Sequence, residues 1–513
     1  MVDGDRGEWR YSTISADMKM SNLVAGVRAS TRSARVIRIL MVLFAVHSLS
    51  FAAIPQERTT NPQGRQIEDA TNRRFLAALA AYRAQQYAAA QHELEPLVKS
   101  APTSFEVNEL LGLVYVAQGK QSEANRYLAK AVQLKPSVAE AQTALATNLL
   151  ALHRVDEAEL RFKKVVRMEP QSYDANHNLG EFYIETGKIG SAIPFLKHAQ
   201  AINPSAYNNG YDLALALEQT ERFDEARQQL QQLITLRDSA ELHSLLGDVE
   251  EKSRNYVSSA AQYEQAARMV PNEQNMLNWG AELLLHQTFA PAIEVFKAGT
   301  QRFPRSAQLY DGLGIAFYGA GQMDEALGAF LRASDLSPAD PLPLKFLGKA
   351  CDGASAELAP QVRFRLQNFI THDDRSAELN YYLAMCLWKG NQAESKPDLT
   401  NAIESHLKRA LALDPNYSDA YFQLGNLYAE QRKYEEAFEQ YQRALKTNTN
   451  SNSARIHYRL GQALARAGNG ALAQQEFAIF ERLRKSESDA TNKEQNQIQQ
   501  FVYTMRKSDA NQR

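Results

Sequence analysis

Metal and nucleophile chemistry starts from histidine, cysteine and paired carboxylates, and in this chain none of them is spaced for a site. The ten histidines are scattered, from His47 through His92, His153, His177, His198, His243, His286, His372 and His406 to His457. No two stand four apart around a glutamate, the spacing by which one helix face offers two imidazoles to zinc. Cys351 and Cys386 are the only cysteines, too few for a four-thiolate cluster. No glycine-rich loop ends in Gly-Lys-Ser or Gly-Lys-Thr, so a phosphate cradle is absent. Carboxylate pairs such as Asp324-Glu325 and Glu435-Glu436 recur at the start of second helices, where negative charge favours the helix dipole. No catalytic group, metal or cofactor is expected.

The elements that would have to position any site are written in a repeat of thirty-four residues, from about Thr71 to Leu483. Its clearest copy, Phe105 to Val138, places Leu111-Gly112, Tyr115, Gly119, Ala124, Leu128, Ala131 and Pro136 at positions 7–8, 11, 15, 20, 24, 27 and 32. The next copies keep phase with Leu145-Ala146, Ala158, Phe162 and Pro170, then Leu179-Gly180, Tyr183, Gly187, Ala192, Leu196 and Pro204. Within each copy the apolar residues fall at helical period. Leu111, Val114 and Tyr115 make one stripe, and Ala124, Tyr127, Leu128 and Ala131 make a second. Gly119 ends the first helix by supplying a residue free to take positive φ. Pro136 ends the second, having no N–H to donate. Small residues at positions 8 and 20, as in Gly314 with Ala326 and Gly425 with Ala437, predict a close helix crossing that a larger side chain would overpack.

About twelve such units are counted, beginning near Thr71, Phe105, Ala139, Tyr173, Tyr207, Ala240, Glu273, Ala307, Pro341, Ala377, Ser418 and Ala454. Repeat 6 is degenerate, with Ser259 and Glu250 in apolar positions. Repeat 9 loses register through Asp352-Gly353-Ala354-Ser355. Repeat 10 carries an insertion around Asn391–Pro397, expected in a surface loop. The fold expected is all-α: a superhelical α-solenoid of antiparallel helix pairs over residues 71–484, burying its core one neighbour at a time. Residues 485–513 read as a polar tail. Within it Ile498, Phe501, Val502 and Met505 form a helical stripe, expected to cap the last repeat.

The recurring pattern resembles the tetratricopeptide repeat family, whose period and W-x2-L-G-x2-Y…A-x3-F…P signature it shares. The resemblance implies a scaffold that binds other proteins. It also implies that first helices line the ligand-facing groove, with positions 2, 5, 6, 9, 12 and 13 meeting a bound peptide. Carried onto this chain, those positions supply Glu106, Glu109, Glu140, Asp174, Glu181 and Glu185 early on, with Glu241, Asp248 and Glu251 in repeat 6. From repeat 9 the character reverses to Lys345, Lys349, Tyr381, Tyr382, Phe422, Asn426, Arg455, Tyr458, Arg459 and Arg466. The partner site expected is therefore Lys345, Lys349, Tyr381, Asn426, Arg455, Tyr458, Arg459 and Arg466, receiving an acidic segment of a protein. Arginine forks would take its carboxylates and aromatic faces its apolar side chains. Two family specialisations do not carry over. No repeat pairs lysine at position 5 with asparagine at position 9, the clamp for a terminal carboxylate. The position-6 asparagine ladder of the sugar-transferring members is reduced to Asn178 and Asn278.

Ahead of the array lies a different composition. Lys19, Arg28, Arg32, Arg35 and Arg38 precede an apolar run from Ile39 to Ala53, and no acidic residue falls between Met18 and Ile54. That reads as a secretory signal peptide within residues 1–53, cleaved after about Ala52, with translation starting at Met18 or Met20. An uncleaved anchor is the alternative. Residues 54–70 read as a linker. Removing residues 1–52 takes away seven basic and four acidic residues, moving the formal charge from −2 to −5. Such a balance gives no sign of nucleic-acid binding, and no later run is long enough to span a bilayer. Cys351 and Cys386 sit in consecutive repeats, open to pairing in an exported protein or to service as small buried apolar residues. The expectation is an exported, periplasmic or secreted bacterial scaffold. Alternatives are a subunit of an envelope assembly or polysaccharide-export machine, and an enzyme with a site in the irregular stretch 341–415.

Overall fold

The structure is a computed structural model, and it describes residues 62–394, 397–447 and 453–485. The leader, the alternative starts and the capping stripe at Ile498–Met505 lie outside the described residues. Within them the chain is helix after helix with no strand, and no helix is long and apolar enough to cross a membrane. Each repeat is one pair: Phe105–Ala117 with Gln121–Leu134, Tyr173–Glu185 with Ile189–Ile202, Ala307–Gly319 with Met323–Leu336, Ser418–Glu430 with Tyr434–Thr447. The first pair opens at Pro62, inside the stretch read as linker, with Pro62–Arg83 and Tyr87–Ser100. Proline suits that opening position, since the N–H it lacks would have no intrahelical partner there.

Short-range chemistry sets the boundaries. The Ser104, Ser172 and Ser306 hydroxyls accept from the N–H groups of Val107, Ala175 and Leu309 at 3.2–3.3 Å, capping first helices. Position 15 closes them in the left-handed region. Gly119, Gly187, Gly321 and Gly468 have φ of 72–87° there, while Gln85, His153, Glu221, Arg254, Gln287 and Arg432 adopt 55–64° without the freedom of glycine.

The position-8 glycines have a definite neighbour. A Cβ on Gly112 would lie 2.7 Å from Leu128, one on Gly314 2.5 Å from Phe330, and one on Gly425 2.7 Å from Tyr441. The close approach is thus between position 8 and the large residue at position 24. The alanines at position 20, Ala124, Ala326 and Ala437, are fully buried beside it. A further periodic device is the position-4 amide. Asn108 donates to Pro102 O and Ser104 O at 3.2 and 2.7 Å, and Asn176 to Pro170 O and Ser172 O at 2.9 and 2.8 Å. Each clasp satisfies carbonyls of the turn that joins one repeat to the next.

The array divides into two compact units, one ending at Ser253 and one starting at Arg254. The boundary falls inside repeat 6, between Ala240–Lys252 and Tyr256–Met269. In the first unit an apolar core runs from Phe75 to Val249. Glu250, in an aromatic position, is buried there and held by Arg227 Nε at 2.7 Å. In the second unit the core runs from Ala267 to Cys386 and again from Ala384 to Ala473.

Repeats 9 and 10 depart from the standard pair. The first helix of repeat 9, Pro341–Ala350, is ten residues against the usual thirteen, and a single 3-10 turn, Cys351–Gly353, follows it. A disulfide joins Cys351 to Cys386 in the next first helix, Ala377–Glu394, with Cα atoms 5.8 Å apart. Its sulfurs belong to residues 2% exposed. The insertion of repeat 10 is not a plain loop: it lengthens Ala377–Glu394 to 18 residues and Pro397–Leu413 to 17.

Candidate functional site

A cavity of about 480 Å³ opens in the second unit between the first helices of repeats 10, 11 and 12. Ala377–Glu394 contributes Met385, Trp388 and Lys389, and Ser418–Glu430 contributes Gln423, Asn426 and Glu430. Ser453–Arg466 brings Arg455, Arg459, Gln462 and Arg466. All are groove positions of the repeat. Tyr434 and Tyr441 enter from a second helix. Tyr441 reaches the cavity because Gly425 leaves its ring room to cross the first helix, and its hydroxyl then donates to Asn426 Oδ1 at 2.8 Å. Asn426 in turn donates to Gln423 Oε1 at 2.9 Å, so the amide pair is oriented before any ligand arrives.

The lining carries more cations than carboxylates. Arg455 lies over the Phe422 ring, 5.1 Å from its centroid, and Arg459 donates to Gln462 Oε1 at 3.2 Å. Neither they nor Arg466 closes an ion pair with a carboxylate among the described residues. The one acidic group in the lining, Glu430, is raised by partial withdrawal from water, against the pull of Arg459 and a hydrogen bond from Trp388. The Lys389 ammonium donates to Ala354 O at 2.8 Å and Cys351 O at 3.4 Å.

Of the eight expected site residues, the cavity gathers Asn426, Arg455, Arg459 and Arg466. The other four lie outside its lining, and three of them contact a neighbouring helix. Lys345 Nζ pairs with Glu378 Oε2 of the next repeat at 2.6 Å. Tyr381 packs on Tyr417 with ring centroids 5.1 Å apart. Tyr458 turns toward helix 470–485, its ring centroid 5.0 Å from that of Phe480 and 5.9 Å from that of Phe477. Lys349 is half-buried on the short helix of repeat 9. In the first unit, Glu106 is tied to Lys135 at 2.7 Å. Glu109 is pushed up to about 7 by burial, with Glu140 and Glu106 nearby, so the early groove is acidic but partly neutralised.

Tetratricopeptide profiles match residues 75–139, 149–206, 211–274, 277–341 and 406–439, and a further TPR repeat profile matches 425–468. The chain belongs to the tetratricopeptide repeat family. No curated protein matches its sequence. Among solved structures, the APC/C hetero-tetramer Cut9–Hcn1 is similar at 14% identity, covering 83% of this chain and 96% of that one, with a TM-score of 0.36. A tetratricopeptide repeat protein from Parabacteroides merdae is similar at 16% identity, 48% and 98% coverage, and a TM-score of 0.35. MamA from Desulfovibrio magneticus RS-1 is similar at 19% identity, 32% and 94% coverage, and a TM-score of 0.30. As a tetratricopeptide repeat array the chain is a protein-interaction scaffold.

Proposed function

We propose that this tetratricopeptide repeat chain is a non-catalytic scaffold that holds an acidic segment of a partner protein in the cavity of repeats 10–12. The observation that supports it is the set of three arginines, Arg455, Arg459 and Arg466, on one helix, none of which closes an ion pair with a carboxylate among the described residues. Some arginines of this fold are spent on a neighbouring carboxylate, as Arg227 is on Glu250, whereas others, such as Arg237 and Arg332, lie over a ring as Arg455 does. Guanidinium forks left open toward a cavity are suited to carboxylates that arrive from outside. On the facing wall the amides of Gln423 and Asn426 offer hydrogen bonds to a peptide backbone, and Trp388 and Tyr434 offer apolar faces. The basic stretch and apolar run ahead of Ala53 support export, and the setting we propose is a bacterial envelope, with the scaffold serving a complex there.

The test is fluorescence anisotropy with a short labelled glutamate-rich peptide, against wild type and a variant carrying Arg455→Glu, Arg459→Glu and Arg466→Glu. Wild type is expected to bind with an affinity that falls as salt rises. The variant should lose about tenfold or more, roughly 1.4 kcal/mol, while its circular dichroism is unchanged. Equal affinity for both proteins would refute the assignment.

A further inference from the structure

A buried carboxyl is costly unless something pairs with it, and Glu109 of the first unit has nothing that does. It stands on Phe105–Ala117, the first helix of repeat 2, and is 3% exposed. No hydrogen bond or ion pair reaches it among the described residues. Its oxygens are nevertheless not sealed from solvent, as Asn148 Oδ1 and Asp311 Oδ1 are. Three charged groups face it: Glu106 on the same helix, Glu140 at the start of Ala139–Ala151, and Lys135 in the turn between those helix pairs. Lys135 is already engaged, paired with Glu106 at 2.7 Å and lying 4.7 Å from the centroid of the Phe105 ring. Glu109 and Glu140 are left as neighbouring carboxyls that no cation among the described residues pairs with. The surroundings extend the same sign. Asp212 and Glu218 join the nine acidic groove residues of repeats 2–6, eleven in all within the first unit. The basic residues at those positions are Lys252 and His177, which lie against Glu218 and Glu181. Glu106, Glu109 and Glu140 do not converge to metal-ligand spacing, so the arrangement favours a longer cation carried on a side chain.

We infer that the first unit docks a basic segment of a partner protein, one arginine or lysine side chain of which enters beside Glu109 and Glu140. A guanidinium or ammonium there supplies the charge-assisted hydrogen bonds that the buried carboxyl lacks. The other groove carboxylates attract the rest of the segment at longer range, which raises its rate of arrival more than its affinity. This site stands apart from the arginine-lined cavity, being of opposite sign and in the other unit. Docking is also coupled to a proton. Burial, with Glu140 and Glu106 nearby, pushes Glu109 up to about 7, so near neutrality it is partly protonated. An incoming cation favours the ionised form. Docking therefore releases that proton and strengthens as pH rises through about 7.

The experiment measures a labelled arginine-rich peptide by fluorescence anisotropy on the full chain, as wild type, Glu109→Gln, Glu140→Gln and Glu123→Gln. Glu123 is an exposed carboxylate on the second helix of repeat 2, Gln121–Leu134, so its substitution makes the same change of net charge away from the groove positions. Wild type is expected to bind, more weakly as salt rises, and about threefold more tightly at pH 8 than at pH 6. At pH 8, Glu109→Gln should bind about three- to tenfold more weakly and Glu140→Gln about threefold more weakly, while Glu123→Gln binds as wild type does. Glu109→Gln should also lose most of the pH dependence. Circular dichroism should show it melting no lower than wild type, because it removes a buried unpaired acid. No binding by wild type would overturn the inference. So would an equal loss in Glu109→Gln and Glu123→Gln, or a pH dependence unchanged in Glu109→Gln. None of these outcomes touches the arginine-lined cavity, so either reading can fail alone.

Discussion

One substitution, glycine to alanine, should change sign between two positions of the same repeat. Gly314 and Gly328 lie in the two helices of repeat 8, Ala307–Gly319 and Met323–Leu336. At Gly328 a Cβ would meet nothing within 4 Å, so alanine brings only its better helix propensity, about 0.8–1 kcal/mol. At Gly314 the same propensity gain is opposed by a Cβ 2.5 Å from Phe330 Cε1, on a ring 1% exposed with no room to retreat. Overpacking of that kind costs about 1–3 kcal/mol, so the net effect is a loss of roughly 1 kcal/mol. For a cooperative body of this size each kcal/mol moves the melting temperature by about 2–4 °C. Thermal melts followed by circular dichroism should therefore rise for Gly328→Ala, fall for Gly314→Ala, and fall further for Gly314→Leu. A Gly314→Ala protein that melts as high as Gly328→Ala would show that position 8 does not face position 24, and the register built on that contact would fail.

Three other outcomes follow from single groups. Asp311 is 2% exposed and its Oδ1 has no hydrogen-bond partner; burial, with Asp340 nearby, pushes its carboxyl up to about 8. Because the folded value lies above the unfolded one of about 4, the native state binds the extra proton. Its stability is then full below about pH 4 and is lost as pH rises toward 8, at up to ~1.4 kcal/mol per pH unit. Asp311→Asn should match wild type near pH 4 in urea unfolding and exceed it increasingly toward pH 8; parallel pH profiles would contradict this. At position 15, Gly187→Ala places a side chain at φ 75° with nothing within 4 Å, so it should cost about 1 kcal/mol from the backbone alone, and Gln287→Gly should gain a few tenths. Tyr441→Phe removes the hydroxyl that orients Asn426, so it should weaken the glutamate-rich peptide by about threefold while leaving the melting temperature within a few degrees.

The repeat made the helices legible because each signature residue answers a local demand that recurs. Gly119 must turn, Leu128 must fill the space over Gly112, and Ala124 must let two helices close. These demands are periodic, and so is their sequence. What escaped that period is what the period does not control. Gly348 sits in register as a position-8 glycine, yet its neighbour is Tyr382 of the next repeat. The first helix of repeat 9 stops at Ala350 and the second does not begin until Leu358, so no position-24 side chain reaches it. Trp388, Lys389 and Gln462 stand at groove positions 12, 13 and 9, but position alone does not separate them from groove residues that line no cavity. Tyr441 could not be found that way at all, since it comes from a second helix and enters only across Gly425. Conversely Tyr458 and Lys345 met every positional criterion and are spent on Phe480 and Glu378. Whether a groove residue is spare or used depends on what lies opposite it, and pair partners two helices away leave no mark in a one-dimensional pattern.

That distinction also bears on how the two kinds of residue can change. Substituting Phe330 or Tyr441 disturbs a crossing between helices, and the stack as a whole registers the loss through its nearest neighbours. Substituting Arg455 or Arg466 disturbs no ion pair among the described residues, so stability places little constraint on it. An arginine that contributes little to folding still carries a cost: three cations along one helix repel each other, and a lone unpaired charge near an apolar wall is poorly solvated. Glu430, on the neighbouring first helix and drawn by Arg459, relieves part of that repulsion. The concentration of arginines on Ser453–Arg466, opposite oriented amides, is the feature that the proposed acidic occupant would offset.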